Sequence, residues 1–308
     1  MAVSGEGGPI AQEPRRFYDG GMDASAGQPE VLPDPGSDAR IELERVIVGR
    51  HEYFMMQRRI AYRDRHLGEL LVPRETGTFC TDLTSVPAFL TWLVPKTGEH
   101  LPATLLHDGL SHPEGVPEYI STDGKVVRRA EADRVLRDAM ADAGTALIRR
   151  WLIWSAVTMS TMWRGEGTNW PTWLKWRYRL IVGLTGLGIL LLGTWATIDL
   201  FDVEISWLGD LWWMGNRPWW EELVGGVTAA IVFSVGWAVT WGRFWKAGAV
   251  VGVSLAVLLH VTAALLIISV MYQVAERFTK KAPKAACMLV WLGLLAALAG
   301  FIAVLATP

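Results

Sequence analysis

The sequence predicts a small soluble α+β domain, a short antiparallel sheet plus helices, followed by an all-α bundle of transmembrane helices. Three observations predict it. Most acidic residues and prolines lie before Trp170, while long apolar runs fill the chain after Arg179. Between residues 52 and 83, short apolar runs alternate with turn signals, as strands do. From residue 100 onward, apolar residues recur at helical spacing.

Residues 1–38 are rich in Gly, Pro, Ser, Ala and Asp and lack periodic apolar residues. They read as a disordered tail, because they bury too little surface to offset the entropy of ordering. Phe17-Tyr18 is an apolar spot within it, open to reading as a docking motif or as ordinary tail. Met1 to Pro9 shows neither the charged start nor the apolar core of a signal peptide. The domain at 40–165 is therefore expected in the cytoplasm.

Within that domain, Tyr53-Phe54-Met55-Met56 and Ile60-Ala61-Tyr62 read as strands. Arg63 to Gly68 breaks them as a turn, and Leu70-Leu71-Val72 and Thr78-Phe79-Cys80 continue the sheet. Pro87–Val94 is a short apolar segment. His100–Leu110 reads as a helix with Pro102 in its first turn, where the missing N–H costs nothing. A loop at 111–127 leads to an amphipathic helix, Ala130–Ala143, stopped by Gly144. Another helix runs from Thr145 to about Trp163.

The region 166–308 holds four expected spans: 180–200, 223–241, 247–274 and 285–306. Helices apolar all round need a sheltering medium, and no polar elements remain here to wrap them. The expected partner is the lipid bilayer. Most of the 17 tryptophans cluster near the ends of these runs, where a ring sits with one edge dry and its N–H wet. Lys175, Arg177 and Arg179 place the first span with its N-terminus inside, and Arg243 with Lys246 return inside. Arg277, Lys280, Lys281 and Lys284 then fall outside, against the same rule, unless 247–274 enters and leaves on one side. His260, mid-span, is open to a functional role or to a neutral bond across the bundle. Gly248-x-x-x-Gly252 matches the close-packing motif and says only that helices pack, while a homo-oligomer through the membrane helices is a further expectation.

A net charge of -2 argues against nucleic acid as a partner. Two cysteines, Cys80 and Cys287, make no disulfide framework.

The residues that carry chemistry are Thr81-Asp82-Leu83-Thr84-Ser85-Val86-Pro87, Leu106-His107-Asp108-Gly109-Leu110 and Arg129-Ala130-Glu131-Ala132-Asp133. Asp133 shares a helix face with Leu136 and Met140, and Asp108 lines up with Leu101 and Leu105. A carboxylate on a core-facing stripe is costly unless it is paired, hydrogen-bonded or bound to metal. One reading gathers Asp82, His107, Asp108 and Asp133 into a catalytic site. In it His107, Asp108 and Asp133 are candidate ligands of a divalent metal, which activates water for hydrolysis. A second reading makes Ser85 a nucleophile with His107 as its base, though no nucleophile-elbow glycines surround it. A third is purely architectural: Asp82 caps a turn, Asp133 pairs with Arg129, and His107 donates to a backbone carbonyl.

The order Val72-Pro73, Thr81 to Pro87, His107-Asp108 and Arg129-x-x-Ala132-Asp133-x-x-Leu136-x-x-Ala139-Met140 resembles the domain of unknown function 1353. That family occurs widely in bacteria and their phages, often as a short stand-alone protein. The resemblance covers about residues 45–165. Trp151-Leu152-Ile153-Trp154 fits the family's aromatic helix, whereas Gly109-Leu110 replaces the bulky and aromatic pair that usually follows His-Asp. The resemblance implies a shared fold and polar cluster and no known reaction. With it, the expectation is a multi-pass protein of a bacterial inner (plasma) membrane carrying a metal-dependent, hydrolase-like site. The alternative is a membrane-anchored adaptor or sensor whose polar cluster is structural. A transporter is disfavoured by the scarcity of charge in the spans.

Overall fold

Two antiparallel sheets stand at the start of the chain. The computed structural model describes residues 15–24, 29–49, 51–83, 95, 97–111, 117–203, 205–207, 209–215, 217–285, 287, 288, 291, 292 and 295. Strands β1 (Phe17–Asp19), β4 (Ile60–Asp64), β5 (Gly68–Val72) and β7 (Ile120–Ser121) form one sheet, in the order β1-β4-β5-β7. Strands β2 (Leu43–Val48), β3 (His51–Met56) and β6 (Cys80–Thr81) form the other, in the order β2-β3-β6. The turn expected at Arg63–Gly68 closes β4 onto β5, with Asp64 opposite Gly68. Asp64 Oδ1 accepts the N–H groups of His66 and Leu67, each at 2.9 Å, and Gly68 takes φ 75, a region open to glycine.

The sheet begins earlier than composition predicts. Part of the segment read as tail, around Phe17 to Asp34, carries β1 and the isolated bridges Asp19–Asp34 and Met22–Val31. The reason is pairing rather than apolar content. Arg58 Nε and Nη2 donate to the two oxygens of Asp19 at 2.7 and 2.5 Å, a buried fork, and Tyr18 is buried beside them on β1.

Three helices cover the sheets. They are α1 (Leu101–Leu110), α2 (Arg129–Asp142) and α3 (Leu147–Arg164). In α2 the buried residues Ala132, Asp133, Leu136, Ala139 and Met140 form one stripe at helical spacing. Glu131, in the first turn, accepts the Arg128 N–H at 3.0 Å. α3 ends at Gly165, whose φ of 68 gives the left-handed cap. Pro87–Val94 lies outside the described residues.

The core does not stop at the end of α3. It runs from Met56, Tyr62, Leu106 and Leu136 through Trp154 and Met162 to Tyr178, Trp241, Ala247 and Val251. The last four belong to apolar helical segments: α4 (Thr172–Leu200), the short 3-10 helix Val239–Phe244 and α6 (Trp245–Val257); α5 (Trp219–Ala238) precedes the 3-10 helix. Gly242, at φ 60 and ψ -122, reverses the chain so that α5 and α6 fold back on each other. A Cβ on Gly252 would stand 2.9 Å from Ser234 Cβ, and one on Gly248 2.6 Å from the Trp241 ring, so small residues set this close approach. Thr185 Oγ1 joins α4 to the hairpin. It accepts indole N–H groups from Trp237 at 3.0 Å and Trp241 at 3.1 Å.

A second compact unit begins at Leu258 and contains α7 (Leu259–Lys281). The expected span 247–274 thus falls on two helices, α6 and α7, with Leu258 between them. Among the described residues, three helical runs reach the length and apolarity of a membrane span: Thr172–Leu200, Trp219–Val257, which Gly242 folds into the α5–α6 hairpin, and Leu259–Lys281. Their side chains are largely exposed, including Leu187, Leu191, Val232, Ile267 and Ile268. The expected span 285–306 lies mostly outside the described residues.

Candidate functional site

Helix α1 carries His107 and Asp108, helix α2 carries Asp133, and the end of β6 carries Thr81 and Asp82. Gly109 explains how α1 lies so close to the sheet. A Cβ there would stand 2.4 Å from Val72 Cγ1 and 3.0 Å from the Glu118 carbonyl oxygen. The bulky pair expected after His-Asp has no room at this contact, and the small residue lets α1 approach β5.

The structure brings three of the expected residues into a line. His107 Nε2 donates to Asp133 Oδ1 at 2.9 Å, with both side chains nearly sealed from solvent at 7% and 2% exposure. On the other side of the ring, His107 Nδ1 lies 3.9 Å from Asp108 Oδ1, an electrostatic contact too long for a hydrogen bond. Asp108 is 31% exposed and accepts the Thr81 hydroxyl at 2.6 Å through Oδ2. Thr81 Oγ1 also accepts the Leu83 N–H at 2.9 Å, and Leu83 is held at φ 69, a strained setting for a non-glycine residue. The line therefore runs from buried Asp133 through His107 to Asp108 at the rim, where the buried Thr81 hydroxyl holds it.

Electrostatics follow from this order. Burial pushes the His107 imidazole towards its neutral form, while the Asp108 and Asp133 carboxylates favour the cation. The carboxylates win, so the His107 pKa is raised above its ordinary value. Asp133 Oδ2 is buried with no hydrogen-bond partner among the described residues. A carboxylate satisfied on only one oxygen costs about 1–3 kcal/mol, which gives Asp133 a strong dependence on His107.

Of the architectural pairings open in the sequence, two are replaced. Arg129 Nη1 donates to the Ser111 carbonyl at 3.0 Å rather than to Asp133, and His107 donates to a carboxylate rather than to the backbone. Asp82 is half-buried between Thr81 and Leu83. Ser85 lies outside the described residues. Among the described residues, no three His, Cys, Asp or Glu side chains converge to hold a metal ion. Nothing in the sequence marks Thr81 as the partner of Asp108. Its signal is positional: a hydroxyl at a strand end, one residue before an aspartate.

Fold and site together define an α+β domain of two antiparallel sheets with a buried histidine–aspartate pair, continued by apolar helices of membrane-spanning length. Residues 54–157, roughly a third of the chain, match the family model described as "Protein of unknown function (DUF1353)". The match runs from β3 into α3 and includes His107, Asp108 and Asp133, while α4 to α7 lie beyond it. No curated protein and no solved structure matches the chain.

Proposed function

We propose that this is a multi-pass membrane protein of a bacterial inner membrane whose cytoplasmic domain performs hydrolysis with His107 as general acid and base. The observation that carries the reading is the orientation of the imidazole. Asp133 fixes Nε2 from the buried side, and Nδ1 faces Asp108 at the half-exposed rim. A buried carboxylate behind a histidine sets its tautomer and stabilises the imidazolium that forms when the ring takes a proton. His107 Nδ1 would accept the proton of an attacking water and return it to the leaving group. Asp108, held by the Thr81 hydroxyl, would orient that water. In the metal-assisted form of the same reading, His107 Nδ1 and Asp108 Oδ1 would help to hold a divalent ion, which would supply an activated water, and Asp133 would orient the histidine from behind.

A second reading has its own observation. Asp133, His107, Asp108 and Thr81 meet much of their polar demand among themselves, as a cluster that only supports the fold would. The domain is then an adaptor or sensor displayed at the membrane. The test uses full-length protein purified in detergent, assayed with chromogenic esters, phosphoesters and peptides, with and without added zinc or manganese. Hydrolysis of one class, reduced about 100-fold or more in His107→Gln, is the expected result. No turnover in any class and no metal retained, with His107→Gln changing only thermal stability, would leave the adaptor in its place.

A further inference from the structure

The C-terminal end of α3 and the first turns of α4 enclose a groove of about 640 Å³. Its walls are the indoles of Trp163 and Trp176, which are 53% and 63% exposed. Its cations are Arg164 and Arg179. Below them lie Leu180, Gly183 and Leu184, the first apolar turns of a helix that carries no further charge until Asp199. The groove thus has a charged mouth and an apolar floor, and it sits where α4 passes from its basic start, Lys175 to Arg179, into its membrane-length apolar run.

Arg179 is fixed in place. Its Nε donates to the Trp163 carbonyl at 2.8 Å and its Nη2 to the Arg164 carbonyl at 2.9 Å, so it caps the end of α3. A guanidinium has five N–H donors, so three remain for a ligand. Its cation also lies 5.3 Å from the centre of the Trp176 ring, which holds it against the wall. Among the described residues, neither Arg164 nor Arg179 is paired with a carboxylate. Glu166 lines the same groove, and two cations against one carboxylate leave its mouth net positive. At Gly183 the floor is open. A Cβ there would be 3.9 Å from the Trp163 ring, an ordinary contact, so nothing in the packing demands glycine and the space is free for an acyl chain.

We infer that this groove binds one anionic phospholipid, its phosphate on Arg179 and Arg164 and an acyl chain along Leu180, Gly183 and Leu184. Planar guanidinium groups suit phosphate oxygens, and tryptophan rings suit the glycerol level of a bilayer. The inference rests on the membrane reading of α4 and is independent of the chemistry at His107.

Native mass spectrometry of the full-length protein in detergent tests it, titrating dioleoylphosphatidylglycerol against dioleoylphosphatidylcholine. The expected result is a single discrete phosphatidylglycerol adduct, preferred about five- to tenfold over phosphatidylcholine. Arg164→Gln should remove most of that preference, because Arg164 supplies charge and, among the described residues, its side chain bonds to no other element. Gly183→Leu fills the floor with both arginines intact and should weaken both lipids. Equal adducts of the two lipids, no discrete adduct, or no change in Arg164→Gln would overturn the assignment. So would displacement of the lipid by millimolar glycerol phosphate alone, which would make the groove a phosphate site without a lipid. Sedimentation of the protein without detergent reports on the membrane reading separately.

Discussion

The family-matched domain and the apolar helices both bury polar atoms, and they satisfy them differently. In the matched domain the buried partners are acids set against bases, Asp64 with Arg134 and Asp133 with His107, and Asp19 with Arg58 on β1 follows the same pattern. In the helical region the central polar contact is neutral, with the Thr185 hydroxyl accepting two indole N–H groups while donating to the Ile181 carbonyl at 2.7 Å. The difference follows from the surroundings. A domain rimmed by water can carry a buried charge if its partner and hydrogen bonds are in place. Helices this apolar offer a charge little compensation, and here a hydroxyl and two indoles make the central polar contact instead.

Removing one partner from each kind of contact sharpens the comparison. The largest effect is expected for Asp133→Ala, which leaves the imidazole buried without its acceptor and should cost about 3–5 kcal/mol in unfolding free energy. Thermal unfolding of the full-length protein in detergent checks it, and a shift as small as a surface substitution produces would break the contrast. Thr185→Val should cost less, about 1 kcal/mol, because a neutral bond is lost and the freed indoles find other partners in the unfolded reference. A cost equal to that of Asp133→Ala would show that the two regions do not differ in kind.

The smallest expected signal is a slope with pH. The folded His107 pKa is raised, so the stability that its cation contributes is fully present below the unfolded value of about 6.5. It is lost as pH rises through the higher folded value. Asp19, Asp64 and Asp142 have depressed pKa values, chiefly through bonds to Arg58 for Asp19 and, against the cost of burial, to Arg134 and Arg65 for the other two. Their contribution is present above about 3.9, the unfolded value, and is lost as pH falls through their lower folded values. Stability should therefore decline from mildly acidic towards alkaline pH. His107→Gln should flatten that limb and leave the acid limb unchanged.

Much of the fold was legible because it is local. The β4–β5 hairpin follows from two apolar runs around a turn-rich hexapeptide, and α2 from a stripe ending at Gly144. The candidate site was legible in part for the same reason: Asp133 stands on a core-facing stripe and demands a partner, whatever the partner is. β1 was not legible, since its place depends on an arginine 39 residues away from Asp19. Nor was the role of Gly109, which matters only because Val72 of another element comes within a Cβ's reach. The boundary expected between the domain and the helices gave no hint that one hydrophobic core crosses it through Trp154, Met162 and Tyr178.

The sequence by itself determined the main helices and the β4–β5 hairpin, which helices are long and apolar enough to cross a membrane, and that Asp133 faces inward, because periodicity and hydropathy act over a few residues at a time. Only the tertiary structure decided that Asp133 meets His107 and not Arg129, and that Asp108 meets Thr81. Those choices rest on distances between side chains 26 and 27 residues apart in the chain. Spacing along one helix cannot encode such distances; the packing of α1 against α2 and the sheets sets them.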